Sequence, residues 1–360
     1  MATVTPTDDM QRVQRAQNVR RLREQASRGE RLPLPSELYI ESTSRCNETC
    51  DQCPRTHLGR EADRDIALTE VQQIVGQIPT LRRVVLHGLG EPLMNRELPQ
   101  IVAYLHARGV YTLFNSNALL LNEARGRALI AAGLDELRIS MDGASPQTYA
   151  RVRGVNEKAL PHIIRNLAGF ERLKAELGAR APRTSLWFTA MRENIEELPR
   201  LVAIAAETGV REVYVQRFIY FGKGLATEDQ AIWRHAKARE QVVIAQTAAR
   251  CEALGVRFTA TGASTPVAYI GRDAAQDAAR PWTGCQRPYT LAYITAHGNV
   301  YSCCFAPFHP GPRRERLLGN ALEQPFEAIW NGERYRAFRA AFESDTPWSQ
   351  CAGCGVKWSL

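Results

Sequence analysis

From residue 37 to about 222, short β-branched runs alternate with segments in which apolar residues recur every three or four positions. The runs predict strands over 37–42, 83–87, 110–115, 136–141, 185–190 and 212–217, and the periodic segments predict helices over 98–108, 123–132, 160–177 and 195–208. Alternation of this kind is how a parallel sheet with crossover helices reads. Six βα units are too few to close an eight-stranded barrel, so the predicted class is α/β, a partial (β/α)6 TIM-like barrel over 37–225 with its chemistry at the strand ends. Residues 226–255 predict one long bridging helix. Beyond it the pattern changes to a strand at 256–260, a hairpin through 289–303 turning near His297-Gly298-Asn299, and short helices around 324–343, which predicts a smaller second domain over 256–360. No fixed-period repeat or low-complexity tract interrupts this order.

With 360 residues, 44% of them hydrophobic, the chain buries a substantial core, which excludes a disordered or fibrous protein. No apolar run approaches the roughly eighteen residues of a membrane-spanning helix, and residues 1–9 hold no apolar signal core, so the expectation is a soluble, cytoplasmic protein with no membrane partner. The net charge is +8, and a basic arm, residues 1–36, carries seven arginines against Asp8, Asp9, Glu24 and Glu30. The remaining charge is spread without Lys/Arg blocks or interleaved aromatics, which argues against a nucleic-acid surface. The arm predicts a helix over 8–30 whose apolar stripe, Met10, Val13, Val19 and Leu22, is thin, hence a solvated helix with arginines free to dock an acidic substrate or partner.

Nine cysteines, at 46, 50, 53, 251, 285, 303, 304, 351 and 354, are an odd number in a chain without a secretion signal, and clusters in that setting read as metal ligands. Cys46, Cys50 and Cys53 lie within eight residues, just after the first predicted strand. Three thiolates can hold a cubane iron-sulfur cluster and leave one iron open, whereas structural zinc would need a fourth ligand such as His57. Cys285, Cys303, Cys351 and Cys354 form a second set, sufficient to ligate one cluster or one zinc ion completely. Cys251, in an Ala/Leu-rich stretch, reads as a small core residue. Were both sets zinc, the alternative function would be a zinc-stapled nucleic-acid-binding protein.

The spacing Cys46-x3-Cys50-x2-Cys53 after a first strand resembles the signature of the radical S-adenosylmethionine (SAM) superfamily, and the surroundings agree. His87-Gly88-Leu89-Gly90-Glu91-Pro92 follows the second strand, where that family carries its G-E-P segment; the resemblance implies that Gly90, Glu91 and Pro92 meet the amino group of SAM. Asn115-Ser116-Asn117 follows the third strand, and Ser140-Met141-Asp142-Gly143 ends the fourth. The same resemblance implies SAM contacts for Asn117, for Ser140 at the ribose and for Arg153 at the carboxylate, with Arg151 as competitor. Gln52 stands where many relatives hold an aromatic beside the adenine.

The second cysteine set resembles the auxiliary-cluster domain called SPASM, in its shortened twitch form. The resemblance implies SAM and two [4Fe-4S] clusters, one SAM-binding with three Cys ligands and one auxiliary with four. Cys304 competes with Cys303 as ligand, stands beside the cluster as a hydrogen-atom donor to a substrate radical, or is a buried and inert thiol. The implied chemistry is a radical SAM oxidoreductase that abstracts hydrogen from a small hydroxylated substrate of sugar or aminocyclitol type, ending in dehydrogenation or epimerisation as in natural product biosynthesis. A flavodoxin- or ferredoxin-type electron donor is implied with it, and the alternative is a ribosomal-peptide maturase of the SPASM type. Gln216, Arg217, Tyr220 and His87 are the expected lining residues.

Overall fold

The computed structural model describes residues 6–59, 61–216, 218–232, 236–260, 280–309, 311–352, 354 and 358–359. All six predicted barrel strands form: β1 (Glu37–Ile40), β2 (Arg83–Val85), β3 (Tyr111–Ser116), β4 (Glu136–Ser140), β5 (Arg183–Thr189) and β6 (Glu212–Gln216). They pair in parallel, in chain order. Period-two alternation builds the wall. Leu38, Ile40, Val84, Phe114, Leu137, Ile139, Leu186, Phe188, Val213 and Val215 are buried against the helices, while intervening residues of β4 to β6 face the lumen.

Through residue 254 the helices, numbered in chain order, are α1 (Pro6–Ser27), α2 (Pro54–His57), α3 (Leu68–Val75), α4 (Leu98–Ala107), α5 (Glu123–Ala131), α6 (Pro146–Arg153), α7 (Ala159–Glu176), α8 (Leu198–Thr208) and α9 (Ala238–Leu254). Helices α3 and α6 have no counterpart in the sequence reading. Each is only eight residues long, too short for a secure helical period. Ser145 caps α6 by accepting from the Thr148 N–H, and Gly154, at φ 63°, ends it in the left-handed conformation that glycine adopts without strain.

Two expectations about the second half are corrected. The bridging helix starts at Ala238 and not at 226, because the chain first makes a short 3-10 turn, Glu228–Gln230. Strand β8 (Arg257–Ala260) pairs in parallel with β6, so residues 256–260 extend the barrel sheet and α9 is its crossover helix. The predicted hairpin forms as β9 (Leu291–Ile294) and β10 (Asn299–Tyr301), turning through Gly298 at φ 81°. Yet β9 also pairs in parallel with β1, and β11 (Gly319–Asn320) follows β10, giving one ten-stranded sheet in the order β11-β10-β9-β1-β2-β3-β4-β5-β6-β8. The C-terminal region is therefore continuous with the barrel wall, while β7 (Phe218–Ile219) and β12 (Trp358–Ser359) form a separate two-stranded sheet.

Ion pairs close the lower end of the barrel: Arg83 with Glu37 at 3.2 Å, Arg183 with Glu136 and Glu212 at 2.8 Å each, and Arg257 with Glu212 at 2.6 Å. Helix α1 keeps most of its described side chains exposed, as expected, but docks one edge on the fold. Val19 and Leu22 are buried, and Arg23 donates to the carbonyls of Thr283 and Cys285 at 2.5 and 3.2 Å and pairs with Glu343 at 3.4 Å. Two apolar side chains sufficed because the helix Glu333–Glu343 and the turn Arg287–Thr290 supply the opposing face. Among the described residues no helix is long and apolar enough to cross a membrane.

Candidate functional site

The loop after β1 carries Cys46, Cys50 and Cys53 and is clamped from three sides. From below, the Asn95 side chain donates to the Ser42 carbonyl at 2.8 Å and Arg45 donates to Asp65 at 3.0 Å. From the loop after β2, the Glu91 N–H donates to the Arg45 carbonyl at 2.8 Å, and the space where Gly90 would carry a side chain is filled by the Thr43 carbonyl, 2.0 Å from a Cβ built there. From α6, the Thr49 hydroxyl donates to the Gly154 carbonyl at 3.0 Å and Asp51 N–H to the Val152 carbonyl at 3.0 Å. The glycines of two separated motifs are thus required by close backbone approach to the cysteine loop.

Burial raises all three thiols, Cys46 to about 11, and Cys50 and Cys53 in the same direction; on Cys50 the other two thiols and Glu48 add to the rise while Arg153 opposes it. Three thiols within electrostatic reach of one another, Cys50 buried and Cys46 and Cys53 partly so, fit a cluster whose iron charge compensates thiolates that burial alone disfavours. His57 does not complete a zinc set: its Nε2 lies 2.9 Å from the Asp51 carbonyl. Among the described residues no three His, Cys, Asp or Glu side chains converge on a single-ion site.

Glu91 turns inward, with Pro92 buried behind it. Its carboxylate accepts from the Ser116 hydroxyl at 2.8 Å and from the backbone N–H groups of Asn117 at 2.7 Å and Leu93 at 3.1 Å. Burial pushes its pKa up to about 7 against these donors. The side chain expected to meet an ammonium therefore ties the loop after β2 to the end of β3. Asn117 extends the tie by donating to Asn47 of the cysteine loop at 2.7 Å, and Ala118 next to it holds φ 58°.

Arg153 lies under the cysteine loop. It donates to Glu48 through Nε at 2.9 Å and Nη2 at 2.8 Å, and to Asp142 through Nη1 at 2.8 Å. Burial works to lower its pKa, but Cys50, Glu48, Tyr149 and Asp142 together raise it well above the ordinary arginine value. Its competitor Arg151 is half exposed and pairs with Glu193. Gln52 donates to Asp142 at 2.8 Å, and its carbonyl oxygen is buried with no partner among the described residues. Ser140 is partly buried at the end of β4. Glu48, enclosed between two cysteines, is the residue that sequence reasoning missed. Its place inside the motif was the available signal.

In the second constellation, Cys285 follows the 3-10 turn Pro281–Gly284, Cys303 follows β10, and Cys354 N–H donates to the Cys351 carbonyl at 2.9 Å. Burial raises Cys351, and Cys303, Cys354 and Cys285 add to it in that order, so the four thiols lie within electrostatic reach of one another. Burial also pushes Cys303 up to about 12. Cys304 accepts a hydrogen bond from Arg287 at 3.4 Å and adds to the rise of Cys303 ahead of Cys285 and Cys354, so it lies beside the same set. All nine cysteines are free of disulfides, and Cys251 is buried in α9.

Of the expected lining residues, His87 is edge-on to Tyr39 in the lumen at 5.6 Å, and Gln216 ends β6 opposite Thr189. Tyr220 packs beside Phe218 at 6.4 Å, outside the strand face, and Arg217 lies outside the described residues.

Comparison with known proteins places these motifs. The radical SAM superfamily matches residues 40–172, and SPASM, an iron-sulfur cluster-binding domain, matches residues 285–355. The PqqA peptide cyclase of Xanthomonas campestris pv. campestris (strain B100) is 24% identical over 331 residues, 90% of this chain and 80% of its own. An AdoMet-dependent heme synthase of Methanosarcina barkeri is 24% identical over 340 residues, 90% of this chain and 89% of its own. Among solved structures, Streptococcus suis SuiB bound to precursor peptide SuiA superposes with a TM-score of 0.68 at 16% identity, covering 95% of this chain and 74% of that one.

Proposed function

We propose that this chain, a radical SAM enzyme with a C-terminal SPASM domain, modifies a peptide substrate. The observation that carries the reading is the likeness to PqqA peptide cyclases over 90% of this chain and 80% of one relative's own length, and the likeness of fold to SuiB agrees with it. The expectation of a sugar or aminocyclitol substrate, with dehydrogenation or epimerisation as the outcome, is corrected by the same finding. That expectation came with the resemblance to the shortened twitch form, which does not distinguish small substrates from peptides. The match to a heme synthase supports a second reading, a non-peptide substrate for the same cofactors.

The cofactors that the two domains bring are SAM and [4Fe-4S] clusters. Cys46, Cys50 and Cys53 would hold the SAM-binding cluster, and Cys285, Cys303, Cys351 and Cys354 the auxiliary one. Bound together, SAM and the first cluster supply one-electron cleavage of SAM and removal of a substrate hydrogen atom. The chain's own part is orientation: Glu91 and Asn117 fix the loop beside the cysteines, Arg153 holds Glu48 and Asp142 beneath it, and Ser140 with the Gln52 carbonyl offers polar atoms at the mouth for the nucleoside. A flavodoxin- or ferredoxin-type protein is the proposed source of electrons.

The test is anaerobic incubation of reconstituted protein with SAM, dithionite and peptides encoded by short reading frames beside the gene. Release of 5′-deoxyadenosine with a peptide two hydrogens lighter supports crosslinking, and an unchanged mass with altered stereochemistry supports epimerisation. Deoxyadenosine release that no peptide accelerates, together with turnover of a tetrapyrrole, moves the assignment to the second reading.

A further inference from the structure

Strand β4 turns Glu136, Arg138 and Ser140 toward the lumen, one pleat apart. Arg138 is held from two sides: its Nε donates to Glu136 at 2.8 Å, and its guanidinium carbon sits 4.1 Å from the ring centroid of Trp187. Trp187 is itself fixed, stacked on Tyr214 with centroids 3.9 Å apart and donating to the Ser185 hydroxyl at 2.9 Å. The Arg138 side chain is only 12% exposed, and among the described residues no acceptor meets its two Nη groups. Neither Nη is a fully buried atom without a partner, so the fork keeps access to solvent in the lumen, and a fork of this shape matches a carboxylate.

Glu136, the carboxylate beside Arg138, is already shared with Arg183, while Glu41 and Asp142 farther up the same face are engaged, the first by the Leu89 and Ala296 N–H groups and the second by Arg153. Across the lumen, burial keeps the His87 imidazole neutral, and Arg138 and Arg83 push in the same direction. On the neighbouring strand, in register with Arg138, Asn115 carries a buried side-chain carbonyl with no partner among the described residues. An acceptor for an N–H thus lies beside a fork for a carboxylate.

We propose that Arg138, braced on Trp187, with Asn115 beside it, forms a subsite in the barrel lumen for a carboxylate of the substrate peptide. This rests on the peptide reading above. The carboxylate comes from an acidic side chain or from the peptide C-terminus, and both offer the same two oxygens to the guanidinium.

Three probes separate the sources: N-acetylglutamate α-amide, N-acetylalanine with a free carboxylate, and N-acetylglutamine amide as neutral control. Binding is read by calorimetry or saturation-transfer NMR on the reconstituted, SAM-loaded protein at low ionic strength, where a partly buried pair is least screened. The acid from the true source binds about tenfold or more tightly than the neutral control, the range of a charge-assisted bidentate contact. Arg138→Met removes this preference, and Arg138→Lys, which keeps the charge but loses the fork, retains only a few-fold of it. Should Arg138→Met fail to fold, Arg138→Lys and Trp187→Leu carry the test, each lowering the preference.

Equal binding of acids and control to the native protein overturns the subsite. So does an Arg138→Met or Arg138→Lys variant whose SAM affinity falls while acid preference is unchanged, since that places the guanidinium on SAM. Because binding is measured without turnover, intact acid preference with no peptide modified counts against the peptide reading alone, and modified peptide with no acid preference counts against the subsite alone.

Discussion

Arg153 tests whether the buried ion network under the cysteine loop is the frame of the site. Its side chain is 10% exposed, and its partners Glu48 and Asp142 are 1% and 2% exposed. Replacing it with Met leaves two buried carboxylates facing one another beside Cys50. Asp142 keeps the Gln52 amide and the Thr189 N–H, both at 2.8 Å, whereas Glu48 keeps only the Tyr149 hydroxyl at 3.1 Å, because Cys50 has no proton to donate once it ligates iron. Removing one partner of such a pair costs about 3–5 kcal/mol, most of it from the charge left behind. Neutralising Glu48 as well should restore part of the loss, so the double variant Glu48→Gln/Arg153→Met should show a coupling of about 1–3 kcal/mol. The assay is anaerobic urea unfolding of the four proteins of the cycle, followed by tryptophan fluorescence and by cluster absorbance, alongside SAM affinity. Additivity within about 0.5 kcal/mol, with Arg153→Met as stable as the native protein but its SAM affinity reduced more than about tenfold, would refute the reasoning and make Arg153 a direct SAM contact.

Three further outcomes follow from the geometry. Replacing Cys46, Cys50 and Cys53 with Ala should lower iron from about eight to about four atoms per chain, the content of one cubane, and abolish 5′-deoxyadenosine formation; a triple variant that still cleaves SAM counts against the assignment. Cys303→Ala should lose the auxiliary cluster by iron analysis and electron paramagnetic resonance while Cys304→Ala keeps it, and the reverse pattern would exchange their roles. Glu91 keeps its proton in the folded chain up to about pH 7, whereas the unfolded chain releases it near 4.5. Folding therefore takes up a proton between these values, so this residue's contribution to stability falls as pH rises through the window, by on the order of 3 kcal/mol in full. Unfolding midpoints from pH 5 to 8 should decline in the native protein and flatten in Glu91→Gln, and an equal slope in both would remove Glu91 as the cause.

The sequence by itself determined the six barrel strands, because short β-branched runs punctuate the helical periodicity, as Arg83-Val84-Val85 and Leu137-Arg138-Ile139 show. It also determined the cysteine sets, since a cluster loop needs its thiolates at short fixed spacing. Pairing between distant segments carries no local signal, and only the tertiary structure decided it. Residues 256–260 and 291–294 read as parts of a separate domain, yet hydrogen bonding places them on the two flanks of the barrel sheet, beside β6 and β1. The same holds for side chains whose roles depend on partners far along the chain. Glu91 binds the end of β3, Arg153 is held by a glutamate 105 residues earlier, and Arg23 reaches the Cys285 carbonyl 262 residues later. Charge and burial at such positions emerge only when the sheet brings the strand ends together, which is why the motif residues were legible as a family and their individual bonds were not.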